Sequence, residues 1–193
     1  MTARPAASPD FRFDTGRLSL DLVATVGARL SGAPVERMTG PDRLALWLAT
    51  TDLVAVDEAV VEPAWVDAFV DLRALLHRLV HARVDDRAPD PGDLDRLNAL
   101  AAGPRRPRRL AADWTVRAGG APSLDHALAA VAADAVDLLG GADADRLHVC
   151  EGPTCDLVFV DTSRAQRRRW CSNGACGNRS RVASHRRRQS NGS

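Results

Sequence analysis

The feature that most constrains this chain is the position of its cysteines. Cys150, Cys155, Cys171 and Cys176 form a C-x4-C-x15-C-x4-C array, and none of the 149 residues before them is a cysteine. Met1–Asp10 lacks the apolar core of a signal peptide, and no run approaches the roughly 18 apolar residues of a membrane helix. The sequence therefore predicts a cytoplasmic chain in a reducing compartment, where clustered thiols hold metal more often than they form disulfides. Two short cysteine pairs joined by a longer loop suit tetrahedral zinc, each pair supplying one edge of the tetrahedron. Gly152, Pro153 and Gly174 supply turns that aim the sulfurs inward. Four thiolates close the coordination shell, which predicts one structural Zn2+ and no catalytic position.

Charge divides at the same place. The formal net charge is +1, but residues 1–147 carry 17 Arg against 22 acidic residues, a net of −5. Residues 148–193 carry 9 Arg against Glu151, Asp156 and Asp161, a net of +6. Zinc with four thiolates adds −2 and leaves the module near +4. A basic segment beside an acidic body points to a polyanionic partner.

The chain reads as α+β: a mainly helical N-terminal domain with a few short strands, followed by a small zinc module. Residues 1–10 read as a disordered leader, 11–147 as the N-terminal domain and 148–193 as the finger. Two-residue alternation through Phe11–Val26, with turn chemistry at Asp14-Thr15-Gly16, predicts a hairpin, although Leu18 and Leu22 also sit at helical spacing. Thr39-Gly40-Pro41 starts a helix that places Leu44, Trp47 and Leu48 on one side. Pro63–Val84 is the clearest helix, with Trp65, Phe69, Leu72, Leu76 and Leu79 on its apolar stripe. A shorter helix is expected over Asp93–Ala101, a half-exposed strand over Leu110–Ala118, and an amphipathic helix from Leu124 to Leu138 that Gly140-Gly141 stops. The last 46 residues cannot bury a core unaided. A four-thiolate zinc site supplies on the order of 10–16 kcal/mol of apparent folding free energy to such a module.

The finger runs C-E-G-P-T-C-D-L-V-F-V-D-T-S-R-A-Q-R-R-R-W-C-S-N-G-A-C-G-N-R. Its Cys176-Gly177-Asn178-Arg179, with Phe159-x-Asp161-x-Ser163-Arg164 and Arg169-Trp170-Cys171-Ser172, resembles the CGNR zinc-finger family. Phe11–Thr25 and Pro41-Asp42-x-Leu44-x-x-Trp47-Leu48 resemble the ABATE domain that usually precedes this finger. The resemblance implies a bacterial, stress-induced transcription regulator with a DNA-binding finger. Two positions depart from the pattern: Ala24 stands where members often have Asn before Thr25, and Asn173 stands where Met is common after Cys171-Ser172.

On that basis the finger is expected to be treble-clef-like. Cys150 and Cys155 form a knuckle, Leu157–Val160 a strand, and Cys176 opens the last helix, where the exposed N–H groups favour a thiolate. Arg164, Arg167, Arg168 and Arg169 form one basic cluster. Asn178, Arg179, Arg181, His185, Arg186, Arg187 and Arg188 line the final helix. Guanidinium matches phosphate bidentately and can also read guanine. Most of these arginines should position the finger on phosphates. Asn178 and Arg181 are the candidate base readers, with capping the alternative for Asn178. The expected partner is double-stranded DNA, with the N-terminal domain as a homodimerisation unit or small-molecule sensor. Two alternatives stand beside it: a protein or RNA interaction module, and a thiol switch in which oxidation ejects zinc. With no Tyr and eight aromatics in all, base stacking on single strands is poorly supplied. No phosphate loop, nucleophile elbow or paired-carboxylate signature marks an enzyme. His77 and His81 lack a third ligand in sequence and read as boundary residues beside the apolar stripe.

Overall fold

The computed structural model describes residues 11–54, 61–178 and 180–182. The expected leader and most of the expected terminal helix, including Arg179, His185, Arg186, Arg187 and Arg188, lie outside the described residues.

Among the described residues the regular structure includes five longer α-helices and three two-stranded antiparallel pairs, with a 3-10 turn at Ala144–Arg146 and a π-helical turn at Asn173–Gly177 leading into a short helical stretch. The helices are α1 Leu18–Val23, α2 Pro41–Thr50, α3 Pro63–Val84, α4 Pro91–Ala101 and α5 Leu124–Gly140. The pairs are β1 Val26–Gly27 with β2 Val35–Glu36, β3 Arg108–Leu110 with β4 Val116–Ala118, and β5 Leu147–Val149 with β6 Val158–Val160. Proline opens α2, α3 and α4, where its missing N–H costs nothing. The Asp90 carboxylate accepts from Asp93 N, and Ser123 Oγ accepts from His126 N, capping α4 and α5.

The main core gathers Phe11, Leu22, Val23, Leu44, Trp47, Leu48, Phe69, Leu72, Leu76, Leu97, Leu128 and Val131. Trp47 meets Phe69 edge-on at 5.8 Å between ring centroids. Arg73, on the same helix as Phe69, is buried. It clamps the Glu36 carboxylate through both terminal nitrogens (2.7 and 2.6 Å) and donates to Thr25 Oγ1 (2.8 Å). A buried guanidinium needs such partners.

Two local expectations change. The segment from Leu18 to Val23 is a helix rather than a hairpin strand. Its alternation is not one-sided, because Ser19 and Asp21 are as buried as Leu20 and Leu22. Ser19 N and Oγ both donate to Asp134 Oδ2 (2.8 and 2.6 Å), and Thr15 Oγ1 donates to Asp21 Oδ1 (2.7 Å). The helix is wedged between two apolar surfaces, so every side must be satisfied. The expected strand over Leu110–Ala118 is instead a hairpin whose turn passes through Trp114 at φ +63°. Leu110, Trp114 and Val116 remain exposed on it.

The finger does not stand apart from this body. Leu20 of α1, Val80 of α3 and Leu138 of α5 share one buried cluster with Leu147, Val158 and Val160. Val160 N donates to Thr15 O at 2.9 Å. Gly16, at φ +99°, lets the chain pass so close that a Cβ would lie 3.1 Å from Val160 Cβ.

Candidate metal centre and basic loop

The β5–β6 hairpin delivers Cys150 to the knuckle. Cys150 N donates to Leu157 O (2.9 Å), and Cys155 N closes the turn onto Gly152 O (3.0 Å). A Cβ on Gly152 would stand 3.2–3.3 Å from Cys155 Cβ, Cys176 Cβ and Cys176 Sγ, so only glycine leaves room for the sulfurs. Glu151 N donates to Arg169 O (2.9 Å), laying the second cysteine segment alongside. Asn173–Gly177 then coil as a π-helical turn that Gly177 N closes on Ser172 O (3.0 Å). Cys176 thus sits within that turn rather than at the first position of the helix.

The four sulfurs lie within 4.8 Å of one another. Cys171 Sγ stands 3.8 Å from Cys155 Sγ and 3.6 Å from Cys176 Sγ. Zinc bonds of about 2.3 Å in a tetrahedron set sulfurs about 3.8 Å apart, so the donor set fits. Cys150, Cys155, Cys171 and Cys176 hold one structural Zn2+, sealed by Ala24, Leu157, Phe159 and Trp170. Among the thiols alone, hydrogen bonds from Cys155 and Cys171 push the Cys150 thiol far down, while its bond to Cys150 pushes Cys155 far up.

One partner of the cluster comes from the far end of the chain. Arg12 Nη1 donates to Cys171 Sγ (2.9 Å) and Arg12 Nη2 to Cys171 O (3.0 Å), with Asp14 bracing the guanidinium at 2.9 Å. The Cys171 amide donates to Cys150 Sγ (3.4 Å). Donors of this kind delocalise thiolate charge and fix ligand orientation. Nothing in the sequence marks Arg12 for this role.

The basic loop is organised by Asp161, which is fully buried. Its Oδ1 accepts from Ser163 N and its Oδ2 from Arg168 N, both at 2.8 Å. Burial opposes ionisation, yet these bonds hold the carboxyl down at about 2. The two-residue step from Asp161 to Ser163 is an Asx-turn signal that sequence could have supplied. Within the loop Arg164 and Arg167 are exposed. Arg168 is turned inward: Nε donates to Trp170 O (2.8 Å), Nη2 to Cys171 O, and the guanidinium stacks 4.6 Å above Phe159. Arg169 is exposed and pairs with Glu151 at 2.7 Å. On the helical turn after the finger, Asn178 and Arg181 are exposed, and Arg181 Nη2 donates to Asn178 Oδ1.

Comparison with known families agrees with this architecture. Residues 16–142 match the ABATE family, described as "Putative stress-induced transcription regulator". The chain belongs to the ABATE family. Residues 146–189 match the CGNR zinc finger, in the order expected. A search of curated proteins returns no match. Both matched families are of regulatory and zinc-finger type, not enzyme families. In this ABATE protein Ala24 is 2% exposed and packs against Cys150, Cys171 and Cys176, so an apolar methyl serves where members often carry Asn. No helix among the described residues is long and apolar enough to cross a membrane.

Proposed function

We propose that this ABATE protein is a DNA-binding transcription regulator whose finger engages duplex phosphates through its basic loop. The observation that carries the reading is the loop itself. Asp161 pins both of its ends, so Arg164 and Arg167 stand exposed in a segment whose net charge, zinc and its thiolates included, is near +4. Arg168 is spent on the loop's own carbonyls and supports its neighbours rather than reaching outward. Arg169 holds Glu151 in an exposed, solvent-screened surface pair that a phosphate can replace. Asn178 and Arg181, exposed on the next turn, are the base-edge candidates.

Within this reading the ABATE domain serves as dimerisation unit or effector sensor. A cavity of about 780 Å³ bounded by Arg105, Arg108, Arg117 and His126 is where a small-molecule effector would lodge.

The test is binding of the zinc-loaded full chain to duplex DNA over a range of salt. If about six arginines neutralise phosphates, log affinity falls against log salt with a slope near −5. Salt-independent association overturns the phosphate reading. No binding even at low salt favours a protein or RNA partner instead.

A further inference from the structure

The helix α3 presents His77 and His81 one turn apart, and both meet the residue that follows Cys155 in the knuckle. His77 Nε2 lies 3.0 Å from Asp156 Oδ2. His81 Nε2 lies 3.7 Å from the same oxygen and 3.1 Å from the Asp156 carbonyl. The two rings are 4.5 Å apart between centroids, and one ligand atom from each of the three residues falls within 4.8 Å of the others. The second carboxylate oxygen, Asp156 Oδ1, is buried and accepts no hydrogen bond among the described residues.

We propose that His77, His81 and Asp156 form a second divalent-metal site, distinct from the four-thiolate zinc. Bonds of about 2.0–2.2 Å place tetrahedral ligands about 3.3 Å apart, and the observed 3.0 and 3.7 Å straddle that spacing. Two imidazoles and a carboxylate, with no thiolate, select a first-row transition ion such as Zn2+ or Co2+ over Ca2+ or Mg2+. A hydrogen-bonded His-Asp-His bridge accounts for Oδ2 but leaves the buried Oδ1 bare; a cation on Oδ2 that also takes Oδ1 as a second, longer bond engages both oxygens. Arg29 also acts on this carboxylate through its charge, but its guanidinium bonds the Val23 carbonyl (3.4 Å). Ligation asks His81 to carry its proton on Nδ1, so that Nε2, which donates its N–H to the Asp156 carbonyl in the metal-free protein, presents a lone pair to the ion instead.

Three protein ligands leave a coordination position open, unlike the closed thiolate site. A cavity of about 330 Å³ bounded by His77, His81, Arg87 and Asp93 adjoins the two imidazoles. An ion here ties α3 of the ABATE domain directly to the zinc knuckle.

The experiment titrates the tag-free, metal-free full chain with Co2+ and then Zn2+, following absorbance and bound metal per chain. Two equivalents are expected. The first gives the sulfur-to-cobalt charge-transfer band of the four-thiolate site, and the second adds no thiolate band. His77→Gln with His81→Gln should bind one equivalent with that band unchanged. Should the double variant lose the thiolate band, His77→Gln alone is used, and its second equivalent should weaken at least about ten-fold. Saturation of the unmodified chain at one equivalent in excess metal overturns the proposal. Retention of an unweakened second equivalent by the variants does so as well.

Discussion

Replacing Asp161 by Asn tests whether one buried carboxylate builds the basic loop. The change keeps size and shape but turns one acceptor oxygen into an NH2 group. That group faces either the Ser163 or the Arg168 amide, each of which now donates at 2.8 Å. The depression of the carboxyl from 3.8 to about 2 corresponds to about 2–3 kcal/mol of native-state stabilisation at 1.36 kcal/mol per pH unit. Hydrogen bonds to charged groups, at about 1.5–3 kcal/mol each, reach the same range independently. The assay is urea unfolding of the cobalt-loaded proteins, read by the thiolate charge-transfer band for the finger and by far-ultraviolet circular dichroism for the whole chain. Asp161→Asn should lose about 2–3 kcal/mol at pH 7. A carboxyl whose folded pKa is depressed contributes in full above its unfolded value, near 4, and loses that contribution only as pH falls toward 2. The gap between the two proteins should therefore stay flat from pH 7 to pH 5. A gap under about 1 kcal/mol at pH 7, or one that closes between pH 7 and pH 6, would refute this account of the loop.

Two further substitutions probe the thiolate cluster. Arg12→Gln removes the donor to Cys171 Sγ and should weaken zinc about ten-fold or more in chelator competition, leaving α3 and α5 intact by circular dichroism. Gly152→Ala places a methyl 3.2–3.3 Å from the Cys155 and Cys176 atoms that zinc holds fixed. It should cost about 1–3 kcal/mol by overpacking, seen as lower zinc affinity with an unchanged metal count.

What the sequence made legible follows the range over which each constraint acts. The span of α3 was readable to the residue, because Pro63 opens it and the stripe through Phe69, Leu72, Leu76 and Leu79 recurs at helical spacing. The zinc ligands were readable because cysteine occurs nowhere else, so the array carries its own pattern. The α1 segment misled because its polar residues are buried among partners the local pattern does not show: Ser19 is held by Asp134, 115 positions away, and Asp21 by Thr15 in the preceding turn. Arg12 was invisible for the same reason, being 159 positions from Cys171. The two histidines were read as boundary residues because their third partner, Asp156, lies 75 and 79 positions onward and is adjacent only in space. Arg168 sat in a basic run that looked uniform; only packing distinguishes the arginine stacked on Phe159 from its exposed neighbours.

The shortage of core in the last 46 residues is met twice, by the metal and by the body. Leu20 is fully buried against Val158 and Val160, Ala24 seals the sulfurs, and Thr15 O takes the Val160 amide. Fully burying Leu20, Val158 and Val160 contributes on the order of 5–9 kcal/mol together, as an upper bound against an extended unfolded chain. That is about half the scale of a structural zinc site, about 10–16 kcal/mol. A finger held by both cannot swing as a tethered bead, and under the proposed function a signal from the ABATE domain would have to reach it through the elements that touch it. Those elements are α1 and the segment before it, which carry Arg12, Thr15, Leu20 and Ala24, and α3, which carries His77 and His81. All of them press on the knuckle or on the hairpin behind it, so a shift of either helix re-aims the loop bearing Arg164 and Arg167. If the ABATE domain regulates the finger as proposed, that coupling runs through packed contacts at one seam rather than through linker length.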